Sequence, residues 1–448
     1  MDRFSSLPNE IICHIGSFLS TKEAVFIMVL SKRYQNLFTI IPTLSFNGDE
    51  ESFKDFVDGV LALPVTSRIR TFSLLWYHFE YDHINRCLCD VLKRGVLVIE
   101  LNLKVHEPRN YSLPSEVFTC KTVVKMDLRC GFAIELLPED AFLPSLKTLF
   151  LESVQFYDSD GCCAFQTLLS ASPVLEELVI DNIEWERWKW SSIVSSPTLQ
   201  RLTIRREEWF SYDSDDILDS RGLAYDFDSI SLDTPSLIYL DYSDYVPKEY
   251  PTVNLNSLVE AKLDLRVDEE GVWEATHVDD FNPVNLISCL KNVEILDLTI
   301  QTTEMFSLFP EAIPVFEKLF QLSVSLSDSC WSSLLILIKK SPNLKTLIIE
   351  DYLHYGRRED EYLCECVSEY SFLSSCPVEV LKINSYNGSI EELAQMKHFL
   401  EKLSCLELVV VYAQVSHNKR LQVMADLQML PRASSKCKFQ VDFFRKSY

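Results

Sequence analysis

The sequence predicts an α/β fold that opens with a short all-helical segment and continues as repeated strand–helix units. Two patterns carry this prediction. An apolar-x-x-apolar-x-apolar motif recurs along most of the 448 residues, whereas the first forty or so residues carry apolar side chains at helical spacing. Strands that alternate with helices pair side by side in a parallel sheet and keep the helices on one face. A hydrophobic content of 47% is enough to bury a large core in such a fold.

Composition and charge exclude several classes of function. The chain carries 42 Lys and Arg against 66 Asp and Glu, a net charge of −24, whereas nucleic-acid binding needs a clustered positive surface. Only ten glycines occur and the closest two, Gly48 and Gly59, lie eleven positions apart, so no dinucleotide-binding, P-loop or G-x-S-x-G motif can exist. The H-E-x-x-H motif of zinc peptidases is also absent. The sequence therefore predicts no catalytic residue, no cofactor and no nucleic-acid partner.

Two or three short helices are expected at the start of the chain. Apolar residues between Ile11 and Leu19 form one broad stripe, and Ser20 and Glu23 are placed as a capping box that begins a second helix. A third segment runs on to Pro42, which stops it. About forty residues cannot bury this much apolar surface alone. The segment is therefore either a helical cap on the next domain or a docking module whose apolar side chains enter another protein.

The same segment resembles an F-box of the plant type. The resemblance lies in residues 7–12, 18–25 and 29–33, which read LPNEII, FLSTKEAV and VLSKR. It implies docking on the Skp-type adaptor of a cullin-RING ubiquitin ligase. The adaptor-binding positions that it implies are Leu7, Pro8, Ile11, Ile12, Ile15, Val25, Val29, Leu30, Ser31, Lys32, Arg33, Tyr34, Leu37 and Phe38. Tyr34 and Phe38 stand where the family usually has tryptophan, so we expect weakened rather than abolished binding.

Beyond residue 45 the apolar motif repeats at intervals of 21 to 38 residues, mostly in or near the 20–29-residue window of leucine-rich repeats. Its first positions are Ile69, Val98, Val123, Leu146, Leu175, Leu199, Leu237, Leu258, Val293, Leu319, Leu344, Val378 and Leu403. Prolines two residues earlier end the preceding helix and hold the chain extended as it enters a strand. These prolines are Pro144, Pro173, Pro197, Pro235 and Pro342. Helices are expected between strands at residues 82–94, 164–170, 331–340 and 391–403.

One feature of regular leucine-rich repeats is missing. The consensus Asn or Cys, eight positions after the first leucine, is replaced throughout, for example by Tyr77, Val154 and Tyr352. The asparagine ladder of regular arrays therefore cannot form, and the turns need other hydrogen-bond partners. We expect an irregular solenoid over residues 46–371, with its parallel sheet on the concave face and its helices on the convex face. A plain α/β domain is the alternative.

The C-terminal region, residues 372–448, resembles the FBD region that follows such repeats in one plant family. The matching residues are 378–383, 387–388 and 396–403, which read VEVLKI, NG and MKHFLEKL. A cap is physically required here, because the open end of a solenoid would expose its core. The chain thus divides into an F-box at 1–45, irregular leucine-rich repeats at 46–371 and an FBD-like cap at 372–448.

The remaining features give weaker signals. Fourteen cysteines lack the paired spacing of a zinc site, so no metal ligand is predicted, and they are interpreted as buried thiols of a reducing compartment. Because no signal-peptide pattern or membrane-length apolar run is found, we expect no membrane association and a location in the cytoplasm, the nucleus or both. Trp185, Trp188 and Trp190 form either packing on the helical side or a partner-binding patch.

The function that the resemblance implies is that of a substrate-recognition subunit of an SCF-type ligase. The F-box would bind the Skp-type adaptor and, through it, the cullin and RING subunits, while the repeats hold an unknown protein target. The contribution to ubiquitin transfer would be proximity, which needs no acid, base or nucleophile from this chain. The alternative is a non-catalytic interaction scaffold whose weakened F-box does not assemble a ligase. No target-binding residue can be named from the sequence.

Overall fold

The computed structural model describes residues 7–16, 18, 23, 43–48, 52–61, 69–76, 80–103, 111–129, 133–134, 136–156, 158–159, 162–183, 193–206, 229–266, 281–326, 332–352 and 371–443. The chain forms two compact units, Met1–Phe227 and Asp228–Tyr448. Each unit contains a parallel β-sheet with connecting helices. None of the described helices combines the length and the apolar character needed to cross a membrane.

Among the described residues of the first unit, seven parallel strands lie side by side in chain order. They are β1 (Thr43–Gly48), β2 (Thr71–Trp76), β3 (Val98–Leu103), β4 (Lys125–Arg129), β5 (Thr148–Glu152), β6 (Glu177–Ile183) and β7 (Arg201–Arg206). The described helices are α1 (Asn9–Gly16), α2 (Ser52–Leu61), α3 (Tyr81–Lys93) and α4 (Ala164–Ser170), with a 3-10 turn at Ser115–Val117. Short strands occur at Ala133–Ile134, Gln155–Phe156, Asp158–Ser159, Cys162–Cys163 and Ile193–Ser195.

In the second unit eight parallel strands follow the same scheme. They are β8 (Tyr239–Tyr245), β9 (Glu260–Arg266), β10 (Ile295–Leu298), β11 (Gln321–Val324), β12 (Thr346–Tyr352), β13 (Val380–Tyr386), β14 (Leu408–Ala413) and β15 (Lys438–Phe443). The described helices are α5 (Val284–Cys289), α6 (Ile300–Leu308), α7 (Ser332–Lys339), α8 (Ile390–Lys402) and α9 (Arg420–Met429). Short strands Ser231–Asp233 and Val253–Asn254 pair in parallel, and 3-10 turns occur at Leu290–Asn292, Pro310–Ala312, Ser371–Ser375 and His417–Lys419.

The repeated motif forms these strands because its later apolar positions point to one face. In β2, Phe72, Leu74 and Trp76 are buried, while the residues between them are half-buried on the other face. Helix α3 adds Ile84 and Leu88 to the core. Each fully buried Leu or Phe contributes about 1.5–3 kcal/mol of transfer free energy. The apolar face of each sheet therefore forms the core, and the opposite face carries the polar side chains.

The predicted fold class, a mixed α/β leucine-rich-repeat fold with a large parallel sheet, is confirmed. The helices predicted at 82–94, 164–170, 331–340 and 391–403 correspond to α3, α4, α7 and α8, within one residue at each end. The predicted division of the chain at residues 45 and 371 stays a prediction. Strand β1 pairs with β2 from Thr43 onward, so the sheet itself starts before residue 46.

Two of the predicted motif positions are wrong. Most strands begin two residues after the first apolar position of their copy. Strand β3 begins at Val98 itself, opposite Thr71, so the first position of that copy is Val96. Strand β14 begins two residues after Leu406, which replaces Leu403 as the first position. Both errors arise where apolar residues follow one another closely, because the motif then fits the sequence in two registers.

A ladder of side chains joins successive repeats where the strands begin. Thr122, Ser145, Thr198, Asn292 and Asn343 each stand directly before the first apolar position of a repeat. Each donates a side-chain hydrogen bond, 2.7–3.4 Å long, to a backbone carbonyl oxygen of the preceding repeat. These bonds satisfy backbone acceptors in an array that lacks the consensus asparagine. The sequence carries the signal, since a Ser, Thr or Asn recurs at one fixed position of the motif.

Candidate functional site

The first candidate surface is the helix α1. The backbone N–H of Ile11 donates to the carbonyl of Pro8 at 3.1 Å, so the helix begins directly after the proline. Glu10 lies in the first turn, near the positive end of the helix dipole. Ile11 is 45% exposed and Phe18 is 76% exposed, whereas Ile15 is half-buried. Exposed apolar side chains gathered on one short segment are typical of a protein-binding surface.

The structure describes only part of the predicted adaptor-binding set. Leu7 and Ile15 are half-buried, Pro8 and Ile11 are exposed, and Ile12 lies in α1 with its side chain outside the described set. The predicted positions that lie outside the described residues are Val25, Val29, Leu30, Ser31, Lys32, Arg33, Tyr34, Leu37 and Phe38. The tryptophan cluster, Trp185, Trp188 and Trp190, also lies outside the described residues. The complete adaptor surface therefore stays a prediction.

The second candidate surface is the polar face of β2–β7, which we call the first sheet face. Arg129 on β4 donates two hydrogen bonds to Asp127, 2.8 and 3.0 Å long, and one of 3.3 Å to Glu152. The same guanidinium lies 4.4 Å above the ring of Phe150. Asp127 is only 5% exposed, and its hydrogen bonds raise the pKa of Arg129. The buried carboxylate is thus compensated by a bidentate cation.

Charges elsewhere on the first sheet face are also paired. Lys125 on β4 donates to Glu100 on β3 at 3.2 Å, and Arg205 on β7 lies 3.8 Å from Asp181 on β6. These pairs join neighbouring strands and are partly exposed, so each adds little to stability. Their effect is to leave this face locally balanced in charge.

The third candidate surface is the polar face of β8–β15, which we call the second sheet face. Asp264 on β9 accepts two hydrogen bonds from Arg266, 2.6 and 3.2 Å long, and one from Ser243 at 2.8 Å. A fourth bond, 2.9 Å long, comes from the hydroxyl of Thr299, the residue that precedes α6. Burial alone would raise the pKa of Asp264, but these hydrogen bonds and the charge of Arg266 outweigh burial and lower it. The network fixes this carboxylate in its ionised form.

Two other carboxylates on the second sheet face have a different environment. Glu350 on β12 accepts a hydrogen bond from Ser323 and another from Asn384, each 2.6 Å long. Asp297 on β10 has a raised pKa, first because it is partly buried and second because of the negative charge of Glu350. Neither carboxylate forms an ion pair with a lysine or arginine in the described part of the chain. The charge of Lys262, which lies on β9 opposite Asp297, lowers the pKa of Asp297 less than burial and Glu350 raise it.

Comparison with known proteins places this chain among plant F-box proteins. A family model of the leucine-rich repeats of the FBD-associated F-box protein At5g56370 matches residues 85–217. The F-box/LRR-repeat protein At3g62440 of Arabidopsis thaliana is 56% identical to this chain, over 98% of the chain and all of that protein. The F-box/LRR-repeat protein At3g58980 of the same plant is 51% identical over 98% of the chain and 74% of its own length. The chain belongs to the F-box/LRR-repeat protein family. A third Arabidopsis thaliana relative, the F-box protein At3g62430, is 49% identical over 99% of the chain and its own full length.

Membership of the F-box/LRR-repeat family confirms the resemblance found in the sequence. The matched segment 85–217 begins within α3 and extends past β7, so it covers strands β3–β7 of the first sheet face. The similarity to At3g62440 extends over nearly the whole chain, including its helical start and its C-terminal part. Both repeat-bearing sheets therefore belong to one F-box/LRR-repeat chain.

Sequence reasoning missed the polar networks of this F-box/LRR-repeat chain. The face that a charge occupies follows from the two-residue period of the strands, so Asp127 and Arg129 could be placed side by side from the sequence. The bond between Asp264 and Thr299 joins residues 35 positions apart. Such a contact requires the register between strands, and variable intervals between repeats conceal that register.

Proposed function

We propose that this F-box/LRR-repeat protein is the substrate-recognition subunit of an SCF-type cullin-RING ubiquitin ligase. Its N-terminal helices bind a Skp-type adaptor and, through that adaptor, the cullin and RING subunits. Its repeats hold a protein target, and the complex acts in the cytoplasm, the nucleus or both. The observation that carries the proposal is the similarity to an F-box/LRR-repeat protein over 98% of the chain at 56% identity.

Adaptor binding is supported by the apolar surface at the start of the chain. Ile11 and Phe18 are 45% and 76% exposed. The ring of His14 meets that of Phe18 edge-on, with centroids 5.0 Å apart, which orients the phenyl ring and leaves most of it accessible. Covering such side chains with a partner gains about 25 cal/mol for each Å² of apolar surface removed from water. A partner protein with a matching apolar groove is therefore favoured.

The chain contributes position rather than bond chemistry in this proposal. A target held on the repeats keeps its lysine side chains near the ubiquitin-loaded conjugating enzyme, which raises their effective concentration. Ubiquitin transfer then needs no acid, base or nucleophile from this protein. The alternative, an interaction scaffold that does not assemble a ligase, shares the repeats and differs only in adaptor binding.

The charge on the repeats favours a basic target. Glu350 on the second sheet face accepts hydrogen bonds from neutral donors, and the charge of Lys262 only partly offsets that of Asp297, so a cationic side chain of a target gains from binding here. The net charge of −24 adds a long-range attraction that accelerates the encounter with a basic surface. Asp127 on the first sheet face and Asp264 on the second are already held by arginines and offer less to such a target.

Adaptor binding is tested with two matched isoleucines. Ile11 is 45% exposed on α1, and Ile238, which directly precedes β8, is 41% exposed. We expect Ile11→Ala to weaken binding of a purified Skp-type adaptor about tenfold, the effect of removing one anchor side chain from an interface. Ile238→Ala should bind like the unchanged protein. Titration calorimetry measures the affinity, and thermal unfolding checks that both variants fold equally well.

The outcomes separate the ligase subunit from the scaffold. Absence of an adaptor complex at micromolar concentrations would contradict the ligase proposal. In that event the double variant Tyr34→Trp, Phe38→Trp restores the usual tryptophans, and recovery of binding would identify a weakened F-box on a scaffold. If Ile11→Ala lowered the melting temperature as much as the affinity, α1 would be a cap on the repeats rather than a docking helix.

A further inference from the structure

Two helices of the first unit bring together three side chains of the kinds that bind metal ions. His83 and Cys87 lie one turn apart on α3, and Asp58 reaches them from α2. The Sγ atom of Cys87 lies 3.7 Å from Nε2 of His83, and Oδ1 of Asp58 lies 3.6 Å from Nδ1 of the same ring. One donor atom can be taken from each residue so that all three lie within 4.8 Å of one another.

The burial of His83 is not explained by the core alone. His83 is 1% exposed and Cys87 is 3% exposed, and the ring of Trp76 meets the imidazole edge-on at 5.5 Å. Within the described residues Nδ1 of His83 has no hydrogen-bond partner, because 3.6 Å to Asp58 is beyond hydrogen-bond distance. Buried polar atoms nearly always have a partner, and the exceptions often mark a bound ion or water. A buried imidazole that faces a thiol and a carboxylate therefore points to a ligand.

We propose that Asp58, His83 and Cys87 bind one divalent cation of the thiophilic class to which zinc belongs. Imidazole nitrogen, thiolate sulfur and carboxylate oxygen are the donor types of zinc sites, with bonds of about 2.0–2.3 Å, and a tetrahedral ion holds such donors about 3.3–3.8 Å apart. The separation of 3.7 Å between Sγ of Cys87 and Nε2 of His83 falls in this range, whereas the 3.6 Å separation joins Asp58 to the other ring nitrogen, Nδ1. A hard cation such as magnesium prefers six oxygen donors and is excluded by the sulfur.

One small movement completes the site. Cys87 lies near Nε2 of His83 and Asp58 lies near Nδ1. A cation binds only one of these two ring nitrogens, so the residue next to the other nitrogen must move toward the cation. The largest separation allowed within the group is 4.8 Å, and a tetrahedral ion requires it to shorten by about 1 Å. Asp58 can move, since its side chain is 53% exposed, whereas His83 and Cys87 are fixed in the core. The exposed side of Asp58 also gives the ion its entry route and leaves room for a water as fourth ligand.

Binding exchanges one proton for the cation. Burial lowers the pKa of His83, which keeps the imidazole neutral, and burial together with the negative charge of Asp58 raises the pKa of Cys87 to about 12. The thiol is therefore protonated before the cation arrives. The S–H bond breaks, the sulfur–metal bond forms and the proton passes to water on the exposed side. The thiolate and the carboxylate of Asp58 then balance the two positive charges.

Binding of the cation is expected to cross-link α2 and α3. These two helices flank β2 along the chain, and the ion joins them in the folded state. Because the unfolded chain does not assemble the three ligands, the cation stabilises the folded state in proportion to its free concentration. This role is independent of adaptor binding and of target binding.

Cobalt(II) is the probe for this site, because a cobalt–thiolate bond gives a charge-transfer absorption that nitrogen and oxygen ligands do not give. Titration of the purified full chain should give this absorption with one equivalent of cobalt, and zinc should displace the cobalt and raise the melting temperature. Cys87→Ser should remove the absorption. Asp58→Asn should keep the absorption but weaken the affinity by about tenfold or more, because one ligand loses its charge. Cys89→Ser and Asp90→Asn, neighbours on α3, are the matched controls and should behave like the unchanged chain.

Three results would overturn the proposal. The first is no thiolate absorption in the unchanged chain, and the second is an absorption that survives Cys87→Ser or is lost in Cys89→Ser. The third is equal cobalt affinity in Asp58→Asn and the unchanged chain. Since Asp58 is half-exposed, its replacement leaves the core intact. The Asp58→Asn comparison therefore decides the question even if Cys87→Ser fails to fold.

Discussion

The second sheet face holds carboxylates in two different environments, and it shares one of these environments with the first sheet face. On the first sheet face a cation on the same strand, Arg129, holds Asp127 with two hydrogen bonds. On the second sheet face Arg266 holds Asp264 in the same way, whereas Glu350 is held by neutral donors and the charge of Lys262 only partly offsets that of Asp297. A buried charge that is paired with an opposite charge contributes to the stability of the fold. A buried charge without such a pair lowers that stability, and binding of a cationic partner offsets this cost. We therefore expect changes at Asp127, Asp264 and their arginines to affect folding, and changes at Asp297 and Glu350 to affect binding.

The largest effect on stability is expected at Arg129. Arg129→Ala leaves the carboxylate of Asp127, which is 5% exposed, without its cation and uncovers the ring of Phe150. We expect the free energy of unfolding to fall by about 2–3 kcal/mol, less than for a fully buried pair because the Arg129 side chain is 40% exposed. Urea denaturation measures the change.

The matched control is Arg205→Ala on the same face. Arg205 lies 3.8 Å from Asp181, and both side chains are substantially exposed. Such a pair contributes at most about 0.5 kcal/mol. Equal losses for the two arginine variants would show that burial of the partner carboxylate does not set the effect, and the contrast between compensated and surface charges would fail.

The alternation of buried and exposed side chains along each strand could be predicted from the sequence, whereas the contacts between strands could not. Phe72, Leu74 and Trp76 follow the two-residue period that places them in the core. The same period places Asp127 beside Arg129, because residues two apart on a strand share a face. Val96 could not be recognised as the start of its repeat, since the neighbouring apolar residues fit the motif equally well.

The candidate metal site was likewise only partly predictable from the sequence. His83 and Cys87 are four residues apart, so a helix over 82–94 already predicts that they share a face. Asp58 lies 25 residues before His83, and only the packing of α2 against α3 brings it near. Ligand spacing along the sequence finds sites whose donors lie close in the chain, and it misses a donor that comes from the preceding helix.

The next largest effect is expected at Asp264, the compensated carboxylate of the second sheet face. Asp264→Asn removes the charge that Arg266 and Thr299 hold, and we expect a loss of about 1–2 kcal/mol in the free energy of unfolding at pH 7. The folded pKa of Asp264 lies below the ordinary 3.8, so its contribution is present above that pH and is lost as the pH falls through the folded value. Urea denaturation at pH 7 and near pH 3 measures the difference, which should be smaller at the lower pH.

The smallest effect on stability, and the one of opposite sign, is expected at Asp297. Its folded pKa lies above the ordinary 3.8 because burial and the charge of Glu350 oppose ionisation more than Lys262 and Ser323 favour it. The ionised side chain therefore destabilises the fold at pH 7, and this cost disappears below about pH 4, where Asp297 is protonated in both states. Asp297→Asn should raise the free energy of unfolding by up to about 1 kcal/mol at pH 7, as measured by urea denaturation, and should leave it unchanged near pH 3. A loss of stability at pH 7 would mean that Asp297 is compensated after all, and the distinction between the two carboxylate environments would then rest on Glu350 alone.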